Sequence, residues 1–169
     1  MDGRRRCPHL QSFRSGGWRF MRVWVDADSC PRPVREIVER AAKRESIPLI
    51  YTANRPIPME ENELFSMVVT ESKDQSADLY IVDNVRGDDL VITRDIPLAD
   101  QLVEKDIAVL NDRGVLYTRE NIKERLSVRN FMYELREYGG GVERHSAFGP
   151  KEKQAFANAF DRQLRIMLK

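Results

Sequence analysis

The chain has 169 residues, 41% of them hydrophobic, and a formal net charge of +1 at pH 7. That is enough apolar material for one substantial core, and two thiols, Cys7 and Cys30, exclude a disulfide-stapled scaffold. No apolar run approaches the roughly 20 residues of a membrane span, and residues 1–20 lack the continuous apolar region of a secretory signal, so a cytoplasmic protein is expected.

Residues 1–20 read as a disordered extension, with Met21 heading the folded part. Val23-Trp24-Val25 suits a buried strand that ends in two carboxylates, Asp26 and Asp28, beside Ser29 to Pro33, which offer capping and first-turn chemistry for a helix. Val34, Ile37, Val38 and Ala41 recur at helical spacing over Pro33 to Lys43. Pro48 to Thr52 reads as a second strand, stopped by Asn54 to Pro58, and Leu64 to Thr70 as a third. Residues 77–86 fit either a short strand at Leu79 to Val82 or a helix. The cap candidates Asp74 and Ser76 and the Arg86-Gly87 stop favour a helix with Asp78 in its first turn.

Asp89 to Thr93 is the next strand, and Arg94-Asp95-Ile96-Pro97 leads into a helix with Leu98, Ala99, Leu102 and Val103 inward. Ile107 to Leu110 follows as a strand, closed by Asn111 to Gly114. Thr118 is placed to cap a helix carrying Ile122 and Leu126, and Ser127 to cap a second one through Leu135. Gly139 to Gly141 form a linker, and Gly149-Pro150 opens a terminal helix with Ala155, Phe156, Ala159, Phe160, Leu164 and Leu168 on its apolar side.

Strands alternating with helices predict an α/β fold: three layers around a mainly parallel sheet, with C-terminal helices added. Residues 21–138 form the α/β domain, and 139–169 supply a linker and a helix packing on the same domain. Ligands bind at the carboxyl ends of such strands. Right-handed crossovers would bring Asp26, Asp78 and Asp95 to that one edge.

Carboxylates held close repel unless a cation neutralises them, and the oxygen-only donor set points to Mg²⁺ or Mn²⁺. The two histidines, His9 and His145, offer no zinc-type spacing. Charge is also segregated: residues 21–112 carry 11 basic against 19 acidic side chains, and residues 113–169 carry 12 against seven. The basic tail, with Arg119, Lys123, Arg125, Arg129 and Arg136, is suited to track a nucleic-acid backbone.

Two other readings stand beside this one. The Asp26-Ala27-Asp28 opening also suits a phosphatase of the haloacid-dehalogenase type, with Asp26 as nucleophile and Asp28 as acid, and with Thr93 and the Asp88/Asp89 to Asp95 spacing imitating later motifs. A non-catalytic nucleic-acid or protein binding module would use the same carboxylates as caps and turn residues. Cys30, beside Pro31 at a helix start, is a lesser candidate for a reactive thiolate. Oligomeric state is not encoded in any of these patterns.

The segments Trp24 to Pro31, Gly87 to Ala99, Asn121 to Leu126 and Phe156-Ala157-Asn158 resemble, in order, the YaiI/YqxD family of uncharacterised bacterial proteins. That family is in turn similar to PIN and NYN nuclease domains. The resemblance implies a PIN-like parallel sheet with an acidic Mg²⁺- or Mn²⁺-binding cluster acting on single-stranded RNA. It places the ligands at Asp26, Asp78 and Asp95, adds Asp28, and gives Thr93 a hydrogen bond to a ligand carboxylate. Glu143 to Ser146 departs from the Gly-rich pattern of the family and receives no role.

Overall fold

The computed structural model describes residues 21–71, 76–140 and 147–169. The expectations placed on residues 1–20, on Asp74, and on Gly141 and Glu143 to Ser146 lie outside those described residues.

Five strands form one sheet: β1 (Val23–Asp26), β2 (Leu49–Ala53), β3 (Phe65–Val69), β4 (Leu90–Ile92) and β5 (Ala108–Leu110). Their order is β3-β2-β1-β4-β5, and every pairing is parallel. The helices are α1 (Arg32–Glu45), α2 (Ser76–Asn84), α3 (Ile96–Glu104), α4 (Arg119–Glu137) and α5 (Pro150–Met167). The expected α/β architecture is therefore the observed one, with a sheet that is parallel throughout.

Successive residues of a strand face opposite sides, which assigns the two cores. Val23 and Val25 of β1 pack with Val34 and Val38 of α1 and with Phe156, Phe160 and Leu164 of α5. Trp24 faces the other way, among Ile81 of α2, Leu98 and Leu102 of α3 and Ile122 of α4. All four residues of β1 are buried, as the central strand of a doubly covered sheet must be.

The amino end of the sheet is held by Asp89, 1% exposed. Its Oδ1 accepts from the backbone N and the Nε of Arg22, each at 3.1 Å. Its Oδ2 accepts from Arg22 Nη2 at 2.6 Å, Trp24 Nε1 at 3.0 Å and Arg86 N at 2.9 Å. Five donors on one carboxylate tie the start of β1 to the start of β4.

Three local details differ from the sequence reading. Ser29 does not cap α1: the N-cap is Pro31, without a side-chain bond, and Ser29 turns back to Asp26. Ser127 does not restart a helix, because α4 continues unbroken from its Thr118–Asn121 capping box. Of the terminal apolar stripe, Ala155 and Leu168 stay exposed, while Phe156, Ala159, Phe160 and Leu164 are buried.

Gly114, closing the turn after β5, has φ +83°, and a Cβ there would lie 2.5 Å from the Ala155 carbonyl oxygen. Both the left-handed backbone and the contact with α5 exclude a side chain. Gly114→Ala is expected to destabilise the fold by about 2–3 kcal/mol, read from urea unfolding midpoints. Gly87→Ala, with open space around it, is the control and should change little.

Candidate functional site

Asp26 is the last residue of β1 and only 4% exposed. Its Oδ2 accepts two hydroxyl bonds, from Ser29 Oγ at 2.8 Å and from Thr93 Oγ1 at 2.8 Å. Thr93 follows β4, the strand beside β1, so the two meet because parallel neighbours end together. Thr93 Oγ1 also accepts from Asp95 N at 3.0 Å, and Ser29 Oγ accepts from Arg94 N at 3.2 Å. A small hydroxyl network thus fixes the first carboxylate relative to the third.

Asp95 is the N-cap of α3, its Oδ1 accepting from Leu98 N at 2.9 Å. Asp28 is exposed, and its Oδ2 accepts from Asn54 N at 2.8 Å, anchoring the loop after β1 to the end of β2. Asn54 Oδ1 in turn accepts from Thr70 Oγ1 at 3.0 Å and is 3.2 Å from Ser76 Oγ. Ser76 opens α2, so this chain of contacts brings the first turn of α2, and with it Asp78, to the same edge.

The electrostatics agree with that convergence. Burial, then the charges of Asp95, Asp26 and Asp28, push the Asp78 carboxyl up to about 7. Burial raises Asp26 too, opposed by its bonds from Thr93 and Ser29 and reinforced by Asp95 and Asp28. The structure therefore joins Asp26, Thr93 and Asp95 in one hydrogen-bonded network and sets Asp28 and Asp78 near enough for charge to act between them.

A raised carboxyl has a definite consequence for stability. Between its ordinary value near 3.8 and about 7, the folded protein holds a proton at Asp78 that the unfolded chain has released. Stability contributed by this site is thus greatest at low pH, declines as pH rises through that window, and levels off above it. Urea unfolding of metal-free protein between pH 5 and pH 8 should show this decline. Asp78→Asn should remove part of it, and a saturating divalent cation should offset it by replacing the proton.

The donor set fits a hard divalent ion in one specific sense. All of its atoms are oxygens, and Asp26 and Asp95 each spend a single carboxylate oxygen on hydrogen bonds from described residues. Among the described residues no group of three or more His, Cys, Asp or Glu side chains forms a ready cage. Mg²⁺ and Mn²⁺ do not require one, since one or two carboxylates and several waters suffice.

Beside Asp95 a groove of about 740 Å³ runs along α4, lined among others by Arg94, Asp112, Tyr117, Arg125, Arg129 and Arg136. The Arg125 guanidinium lies 5.7 Å from the centre of the Tyr117 ring. Arg119 and Lys123, expected among the nucleic-acid contacts, face α3 instead. Arg119 pairs with Asp106 at 2.8 Å, and Lys123 with Asp100 at 2.8 Å and Glu104 at 3.1 Å. Their charge is neutralised in holding α4 in place.

Sequence reasoning missed Ser29 as a partner of Asp26, Asn54 as the hub of the β2 end, and Asp112. Only Asn111-Asp112-Arg113-Gly114 hinted at the last, and it reads as a turn. Cys30 is buried in the core beside α1, and burial pushes its thiol far up, which disfavours the thiolate that a nucleophile needs. The parts that a phosphatase needs are dispersed. Asp89 precedes β4, at the opposite end of the sheet from Asp26, and Lys105, at the end of α3, donates to the Val82 carbonyl.

A family model described as "Uncharacterized BCR, YaiI/YqxD family" matches residues 24–166. A UPF0178 protein of Treponema denticola is 52% identical over 149 residues, covering 88% of this chain and 95% of the relative. One from Treponema pallidum is 50% identical over 149 residues, covering 88% and 84%. Another, from Syntrophobacter fumaroxidans, is 46% identical over 144 residues, covering 85% and 94%. No solved structure matches the chain. Among the described residues no helix is long and apolar enough to cross a membrane.

Proposed function

We propose, for a chain that belongs to the YaiI/YqxD family, that it is a PIN-like, metal-dependent phosphodiesterase acting on single-stranded RNA. The observation that carries this reading is the adjacency of two opposite environments. Asp26 and Asp78, both raised by burial and by the charge of Asp95, stand with Asp95 at the carboxyl edge of the sheet, and a groove with Arg125, Arg129 and Arg136 opens beside Asp95. The first suits a divalent cation and the second a polyanionic strand.

In this reading one or two of Asp26, Asp78 and Asp95 would hold Mg²⁺ or Mn²⁺ directly and the rest through water, and the bound ion would activate water and stabilise charge on a phosphodiester. Thr93 and Ser29 donate to Asp26 Oδ2 and so aim its other oxygen outward. Asp28 steadies the loop through Asn54. Asp78 gives up its proton as the cation binds, which makes cation affinity rise with pH up to about 7. Arg125, Arg129 and Arg136, none in an ion pair with a described residue, are available to phosphates.

The test is a substrate panel with Mn²⁺ and with chelator: single-stranded RNA, single-stranded DNA and p-nitrophenyl phosphate. Metal-dependent cleavage of RNA alone supports the reading. Turnover confined to p-nitrophenyl phosphate favours a phosphatase, and RNA binding without turnover leaves a binding module.

A further inference from the structure

Asp112 has no part in the chemistry above. It follows β5, is 3% exposed, and lines the groove between the carboxylate edge and α4. Its Oδ2 is buried without a hydrogen-bond partner among the described residues. Such an oxygen is expected to be satisfied by something. The nearest cation is Arg94 Nη1, 3.8 Å away, too long for a hydrogen bond, on a side chain that is 55% exposed.

We propose that Asp112 is the floor of a base-reading pocket in the groove, selecting a guanine in single-stranded RNA. The inference rests on the RNA reading of the groove, and not on hydrolysis. An ionised carboxylate only accepts, and it offers two oxygens side by side. Of the four RNA bases, only guanine presents two adjacent donors, N1–H and the N2 amino group, on its pairing edge. Adenine and cytosine each place an acceptor beside their amino donor, and uracil flanks its one N–H with carbonyls. A cationic ligand would also pair with a carboxylate, but Arg94, Arg113, Arg125, Arg129 and Arg136 line the same groove and repel one.

The remaining groups suit the same ligand. Tyr133, 61% exposed, offers a ring on which a base can stack. Arg125 and Arg129 are placed for the flanking phosphates. Arg94, 55% exposed and 3.8 Å from Asp112, lines the same groove and offers a further cation to the phosphates.

The experiment measures binding by fluorescence anisotropy, in chelator, of uridine pentamers whose central base is guanine, hypoxanthine, adenine or uracil. Hypoxanthine lacks only the N2 amino group. The wild type is expected to bind the guanine pentamer on the order of ten-fold more tightly than the hypoxanthine one. Asp112→Asn, which replaces one acceptor by a donor, should erase that preference while leaving Mn²⁺ affinity, read by calorimetry, unchanged. Equal affinity of the wild type for the two pentamers overturns the proposal without any variant. So does a preference that survives Asp112→Asn, or a loss of Mn²⁺ binding in that variant, which assigns Asp112 to the metal instead. If no pentamer binds, the RNA reading itself fails, and this inference fails with it.

Discussion

Replacing Asp26 and Asp95 together by asparagine is expected to abolish Mn²⁺ binding at the sheet edge and to lower metal-dependent RNA cleavage at least about 10²-fold. Each substitution is nearly isosteric. The amide oxygen that Asp26→Asn retains still accepts from Ser29 and Thr93, and the one that Asp95→Asn retains still caps α3, so the network of the wild type is kept. What is lost is two negative charges that a hard cation requires. Calorimetric titration of Mn²⁺ into both proteins checks this directly, and equal binding by both would sink the metal site. The variant also relieves Asp78 of two charges that raise its pKa, so its stability should vary less with pH than that of the wild type.

The largest expected loss of stability comes from the other end of the sheet. Asp89→Ala should destabilise the protein by about 3–5 kcal/mol, since it strands the Arg22 guanidinium, 11% exposed as a side chain, without its counter-charge. The Trp24 indole N–H and the Arg86 amide lose their acceptor at the same time. Against a typical total stability of about 5–15 kcal/mol, this approaches global unfolding at 37 °C. For a chain of this size the thermal midpoint should fall by roughly 10 °C or more. Asp89→Asn, which keeps shape and one acceptor, should lose less. A loss under about 1 kcal/mol in the alanine variant would show that the buried pair is not needed to hold β1 against β4.

These two variants also separate two kinds of acidic residue that look alike in the sequence. Asp89 and Asp95 flank the same strand, β4, six positions apart. Asp89 enters it and is saturated by donors, whereas Asp95 leaves it and keeps an oxygen unbonded by any described residue. Strand polarity alone distinguishes them, which is why the spacing from Asp88/Asp89 to Asp95 misleads when read as a phosphatase motif.

Much of the site was legible for a local reason. A β-rich apolar run followed by Asp and a Pro-containing helix start states both a strand end and a helix start, and it does so twice, at Val25 to Pro33 and at Ile92 to Pro97, though only the second carries a side-chain cap, Asp95. The helical reading of residues 77–86 placed Asp78 in a first turn, where the structure has it. Arg119 and Lys123 were not separable from Arg125 and Arg129 in the same way. All four are exposed cations on one helix of 19 residues, and composition assigns them alike.

The sequence by itself determined the order of elements, the parallel sheet, the buried β1 and the carboxylates at strand ends and helix starts, because periodicity, capping and turn chemistry act over a few residues. Tertiary structure decided which of those groups meet. Burial of Ile122 and the ion pairs of Arg119 and Lys123 with Asp106, Asp100 and Glu104 fix the rotation of α4 on α3. That rotation turns Arg125, Arg129 and Arg136 into the groove. The register of β1 with β4 sets Thr93 against Asp26, and the register of β4 with β5 brings Arg94, after the one strand, within 3.8 Å of the buried Asp112, after the other. Contacts across some 67 residues of chain depend on packing that no local pattern specifies.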